Sequence, residues 1–226
     1  MAIVMTLAMA FVMTDHAYHL LRAEILVYSA ARQNASLKTL EEIERAGDFY
    51  PDYAPYVDHR ADQEISLGRQ SMAGYIIKKL IVLRPSWPYA WARLSYVMML
   101  GGEYGEPLHK TLRATAQYAE HDPVLVDWMA RQAILRWDRF NAQTKDILRG
   151  SLHEALATKN PDLLSFAISN HRESAICEDV NATDAVKRWC TAVSDRNSVC
   201  SQTRNDAESR KACEEAKVKL TSGFLQ

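Results

Sequence analysis

The sequence predicts an all-α protein, an α-solenoid of stacked helical hairpins, on three observations. Glycine and proline together supply only 15 of 226 residues, about half the usual share, too few breakers for an all-β sandwich or barrel. Pro85, Pro123 and Pro161 stand 38 residues apart, and Pro51 precedes the first by 34; a period of about 20 to 50 residues marks a repeat architecture. Between the prolines, apolar residues return at the three- and four-residue spacing of one helix face. A hairpin of this kind needs a neighbour to bury that face. With 48% hydrophobic and 24% charged residues the chain is globular in composition. A net charge of -1 excludes a general nucleic-acid coat, which would need a positive excess to release counterions.

The elements follow in chain order. Met1 to Met13 is apolar except for Thr6, with no charge before Asp15. Thirteen residues rise about 20 Å as a helix, short of a hydrocarbon core of about 30 Å, and no basic stretch precedes them as in a secretory signal. The run is therefore expected to be the outer half of a membrane anchor whose start lies upstream; a buried N-terminal helix is the alternative. Tyr18, Leu21, Ile25 and Tyr28 continue the helical spacing. Next comes a hairpin of Trp87 to Leu100, the break Gly101-Gly102, and Tyr104 to Glu120. Asp122-Pro123 and Asn160-Pro161 place a capping acceptor before a proline at the first helical position, and Pro88 opens a helix after Ser86. Trp91, Leu94 and Met98 line one helix face, and Leu125, Met129, Ala133 and Trp137 another.

All four cysteines fall in the last 50 residues, as Cys177, Cys190, Cys200 and Cys213 in the spacing C-x12-C-x9-C-x12-C. A zinc site usually includes a pair separated by about two to four residues, and none does here. Disulfides in an oxidising compartment are the expectation. Three connectivities are open; the equal intervals lean toward Cys177 with Cys190 and Cys200 with Cys213. The mixed charges of 201–219 read as the solvated face of a helical tail held by these bridges.

Trp91, Leu94, Tyr104, Ala114 and the closing Pro123 resemble a tetratricopeptide repeat, with Pro107 where that motif has a small residue. The resemblance implies a concave groove lined by first helices. Counted from Trp91, the groove positions are Tyr89, Ala92, Tyr96 and Met99; counted from Met129, they are Asp127, Ala130, Ile134 and Trp137. Partner binding is thereby assigned to Tyr89, Tyr96, Met99, Asp127, Ile134 and Trp137, although Ile134 and Trp137 could equally pack beneath the next hairpin.

Longer stretches resemble the VpsP-like polysaccharide-biosynthesis proteins of bacterial exopolysaccharide loci. The most specific is Arg84-Pro85-Ser86-Trp87-Pro88-Tyr89-Ala90-Trp91-Ala92-Arg93-Leu94, followed by Gly102-Glu103. Thr14-Asp15-His16-Ala17-Tyr18-His19, Ala133-Ile134-Leu135-Arg136-Trp137, Ala175-Ile176-Cys177 and Arg188-Trp189-Cys190 support it. The likeness covers roughly residues 14 to 190. It implies tetratricopeptide-like repeats behind a membrane anchor and a part in exopolysaccharide production without an established catalytic site.

The polar side chains with chemical capacity fall short of a site. Asp15, His16 and His19 offer too few local ligands for a metal. Asp58, His59 and Asp62 read as a polar helix face, and Glu103, Glu106 and His109 as turn residues. Asp127 and Asp138, on one predicted helix, would stand about 16 Å apart, beyond the separation of about 5 to 10 Å that glycoside hydrolysis uses. The expected organisation is an anchor and connecting helix in 1–32, a tetratricopeptide-like domain in 33–171 and a cysteine-containing helical region in 172–226. The expected role is a non-catalytic scaffold, single-pass in the inner (cytoplasmic) membrane with its soluble part periplasmic, recruiting other proteins of a polysaccharide assembly or export machine. No cofactor, metal or nucleic acid is expected. The alternative is a glycan-binding or polysaccharide-modifying subunit of the same machine.

Overall fold

The computed structural model describes residues 13–14, 17–27, 37–49, 52–157, 161–177 and 184–201, together with positions 211 and 215. Every regular element among them is helical, as the scarcity of breakers predicts. The helices are α1 (Leu37–Phe49), α2 (Ala54–Ser66), α3 (Gln70–Leu83), α4 (Pro88–Leu100), α5 (Glu106–Tyr118), α6 (Pro123–Arg136), α7 (Ala142–Ala157), α8 (Pro161–Ser169), α9 (Ser174–Cys177) and α10 (Asp184–Ser201), with a 3-10 turn at Trp137–Arg139. The chain divides into two compact units, Met1–Tyr118 and Ala119–Gln226, so the division falls within the stretch 33–171.

In the first unit, α1 to α5 pack in succession, α1 on α2, α2 on α3, α3 on α4 and α4 on α5. Ile43 and Ala46 of α1, Val57 and Ala61 of α2, Ile76, Ile77 and Leu80 of α3, and Leu94 and Val97 of α4 share one core. Turn chemistry sets the hairpins. Gly68 and Gly102 hold φ of 72° and 77°, left-handed conformations that cost glycine nothing. Proline sets the helix starts: Trp87, ahead of Pro88, is extended at φ -84° and ψ 107°, as the residue before a proline must be. The Trp91 indole N–H then donates to the Pro85 carbonyl at 2.8 Å, tying the connection to the helix it precedes. Between α4 and α5 the buried Ser95 hydroxyl meets that of Thr111 at 2.9 Å, and Thr111 donates on to the Leu108 carbonyl.

The expected single pass through the inner membrane is corrected: among the described residues no helix is long and apolar enough to cross a membrane. Residues 17–27 are helical but carry Arg22 and Glu24 and rise only about 16 Å, against a core of about 30 Å. Ala23 of this segment is fully buried, and Leu26 and Val27 pack on the core of the first unit. The periplasmic placement that rested on the span is withdrawn with it. The apolar run 1–12, read as an anchor, lies outside the described residues, as do Asp15 and His16.

In the second unit the Asp122 carboxylate caps α6, accepting from the backbone N–H groups of Val124 and Leu125 at 3.0 and 3.2 Å. Helix α6 packs on α7, α8 and α9. Val126, Ala130 and Ile134 of α6, Leu152 of α7, Leu163 and Ala167 of α8, Ile176 of α9 and Trp189 of α10 form the core. A disulfide joins Cys177 to Cys190, one of the open pairings. Beside it the Arg196 guanidinium donates to Glu173 at 2.6 Å, both side chains about nine-tenths buried. Cys200 is disulfide-bonded as well; Cys213 lies outside the described residues.

Two stability measurements check these contacts. A Cβ at Gly47 would overlap the ring and hydroxyl of Tyr56, so Gly47→Ala is expected to cost about 1 to 3 kcal/mol in urea denaturation, and a neutral result would mean that α1 does not cross α2 at this point. Replacing Cys177 and Cys190 together by serine opens a loop with a sequence separation of 13 and is expected to cost about 3 kcal/mol; unchanged stability of the non-reduced protein would exclude the bridge.

Candidate partner-binding surface

Within each unit a side-chain contact joins two helices that are two apart in sequence. In the first, Arg93 of α4 reaches two carboxylates of α2, one turn apart. One guanidinium nitrogen pairs with Asp58 and the other with Asp62 at 3.0 Å. In the second, α6 lies against α8. The Arg131 guanidinium carbon stands 4.8 Å from the Phe166 ring centroid, while the Arg131 Nε donates to Asp127 at 2.6 Å. Arg93 and Arg131 are 38 residues apart, at the same position of the proline period. Each serves the lateral contact of its own unit, one through carboxylates and the other through a ring face.

The assigned surface residues divide by burial. Tyr89, Tyr96 and Asp127 are half-buried and reachable from solvent. Met99, Ile134 and Trp137 are 3%, 0% and 3% exposed. Ile134 belongs to the core of its unit, and Trp137 lies under cations, with Lys145 Nζ 4.9 Å from its ring centroid. The Tyr89 ring sits 6.0 Å from that of Trp87. Trp87 in turn carries the Arg84 guanidinium at 5.8 Å. A half-buried aromatic and cationic cluster thus marks the start of α4.

The helix expected to run through both Asp127 and Asp138 ends at Arg136. The 3-10 turn then carries Asp138 to Arg172, which it meets at 2.6 Å, so the two carboxylates serve separate ion pairs. His109 is buried with its Nε2 2.6 Å from an Arg113 nitrogen. Among the described residues no three His, Cys, Asp or Glu side chains gather as a metal site.

The arginine bridge is the feature that reading the sequence missed. Asp58 and Asp62 share a helix face, so their spacing shows a polar surface; that Arg93 lies over it depends on how two hairpins dock. Burial pushes the Asp58 carboxyl above its ordinary range, Arg93 pulls it back, and Asp62 pushes it up again. On the same helix His59 Nε2 and Gln63 Oε1 are buried with no hydrogen-bond partner among the described residues.

No protein-family model matches the chain, and no curated protein matches it either.

The bridge has a pH signature. Asp58 has a raised folded-state pKa, so its contribution to stability is fully present below the unfolded value and is lost as pH rises through the folded one. The stability of the native protein relative to Asp58→Asn should therefore grow as the pH is lowered from about 7 toward the ordinary aspartate value of about 4, measured by urea titration; a gap that shrinks on acidification would contradict the burial. Arg93→Ala, which leaves two facing carboxylates without their shared cation, should cost about 1 to 3 kcal/mol at neutral pH.

Proposed function

We propose that the protein is a non-catalytic helical-repeat scaffold of a bacterial exopolysaccharide assembly or export machine, binding partner proteins on the faces of its first helices. The observation that carries the scaffold reading is the lateral contact, within a unit, of helices two apart in sequence: Arg93 with Asp58 and Asp62, and Arg131 with Phe166. Side-by-side first helices are what a tetratricopeptide-like solenoid requires, since each hairpin there buries its face on its neighbour. Proline-opened helices at Pro88, Pro123 and Pro161 support the same arrangement. The polysaccharide context rests on the VpsP-like stretches, above all the run from Arg84 to Leu94, which forms the start of α4 and its aromatic cluster.

On this reading Tyr89 and Tyr96 of α4 and Asp127 of α6 are the partner-facing groups, and Met99, Ile134 and Trp137 support them from beneath. Half-buried tyrosines suit the task because a ring held by its own helix adds contact area at small conformational cost, and a few such anchors supply most of the energy of a protein interface. Disulfide closure of the C-terminal helices fits a protein working in an oxidising environment.

Tyr96→Ala is the test. The variant should keep its helical content and fold while partner recovery from its own cells falls by about 1 to 3 kcal/mol in affinity and polymer output drops. Full retention of both would move the interaction elsewhere, and loss of the fold would make Tyr96 a core residue. Binding of the purified protein to the isolated polymer, abolished by Trp87→Ala, would replace the scaffold reading with direct glycan recognition.

A further inference from the structure

Helix α10 is long but lightly seated. Of its 18 residues, Val186, Trp189 and Val193 enter the core of the second unit. At about 100° per residue these three span only about 60° of the helix, and Lys187, Arg188, Ser194 and Asp195 around the rest of it are exposed. The principal neighbour of α10 is α9, a helix of four residues and too short to hold its shape alone. Cys190 is half-buried on the core side of α10, within about 40° of Val186. Its bridge partner Cys177, at the end of α9, is exposed. The bridge thus closes the seam between the two helices and is open to solvent at its Cys177 end. Helices α6, α7 and α8 supply the rest of that core apart from Ile176 of α9.

We propose that the Cys177–Cys190 bridge is a redox latch: its reduction by a dithiol lets α10 leave the core of the second unit while α6, α7 and α8 stay folded. A thiolate of the dithiol attacks the exposed Cys177 Sγ, the S–S bond breaks, and Cys190 leaves as a thiolate that takes up a proton. The second thiol of the reductant then displaces Cys177 from the mixed disulfide. Two electrons pass to the bridge, which becomes two thiols, and the dithiol becomes a disulfide. With the bridge closed, the open form of α10 is a tethered loop of restricted freedom; with it broken, that freedom returns and the closed-to-open ratio falls by about a hundredfold. What then holds α10 is one narrow apolar stripe and the Glu173–Arg196 pair, whose attraction is largely offset by the desolvation of its two charges. Opening uncovers the Trp189 indole and Ile176, both buried in the closed form. The latch does not depend on the first-helix surface proposed above.

The test uses the full chain carrying Cys200→Ser and Cys213→Ser, in which Cys177 and Cys190 are the only cysteines left. Hydrogen exchange read by mass spectrometry is followed with and without dithiothreitol, in the absence of denaturant, and the thiols released are counted by alkylation. Both thiols should appear in the native protein, and amide exchange across 186–198 should quicken by about a hundredfold while that of α6 and α7 is unchanged. Reoxidation should restore the slow exchange. On the otherwise intact chain, the double variant Cys177→Ser, Cys190→Ser should show the same fast exchange of α10 with no reductant added. A bridge that yields to dithiothreitol only in denaturant, α10 amides as protected after reduction as before it, quickening of α6 and α7 to the same degree, or slow exchange of α10 in the serine variant would each overturn the proposal.

Discussion

A helical hairpin buries only the side on which its two helices touch, and the fold of each unit follows from having to cover the other side. Helix α4 illustrates the constraint: it lies against α3 before it and α5 after it, and Ala90, Ala92, Leu94, Val97 and Met99 are all buried. Helix α6 carries the same demand in the second unit and takes three partners, α7, α8 and α9. Small residues make the close approach possible, with Ala90 and Ala92 in α4 and Ala130 and Ala133 in α6 all at most 5% exposed. Where helices come this near, the backbone start of each one has to be fixed, and a proline at the first position with an extended residue before it does that without long-range help.

Polar groups inside the units act on selection more than on stability. The Glu173–Arg196 pair is nearly buried, and the desolvation of two such charges offsets much of their attraction. Its effect lies in what it forbids: a different seating of α10 would leave one charge buried alone, which costs far more than the pair gains. The Cys177–Cys190 bridge joins the same two segments. The segments α9 and α10 thus add one covalent and one ionic link to the packing of Ile176, Val186, Trp189 and Val193 in the core.

What the sequence revealed follows from how local each signal is. Helix starts at Pro88, Pro123 and Pro161 were legible because proline acts on its own neighbourhood, and the Gly101-Gly102 turn for the same reason. Equal cysteine intervals pointed to the Cys177–Cys190 pair. The end of α6 at Arg136 was not legible: no glycine or proline stops it, and the break comes from a 3-10 turn followed by Asn141, whose side chain accepts from the Thr144 N–H at 2.8 Å and starts the next helix. Packing beneath the next hairpin was an equal alternative for Ile134 and Trp137, and both are buried; burial of Met99 was hidden, since an apolar residue on a helix that is apolar on several sides carries no mark of which side is covered. The Arg93 bridge needed two hairpins in place, and its only trace in the sequence is the 38-residue interval to Arg131.

That bridge also sets how the first unit can change over generations. A guanidinium that grips two carboxylates one turn apart works as a key with two teeth, and the key turns only in one register. Deleting a single residue from α4 ahead of Arg93 would rotate the side chain by about 100° and break both grips at once, while a substitution at either aspartate leaves the other engaged. A point change at Asp58 or Asp62 therefore costs one grip, whereas a change of length between Pro88 and Arg93 costs both together with the register of the helix that follows Pro88.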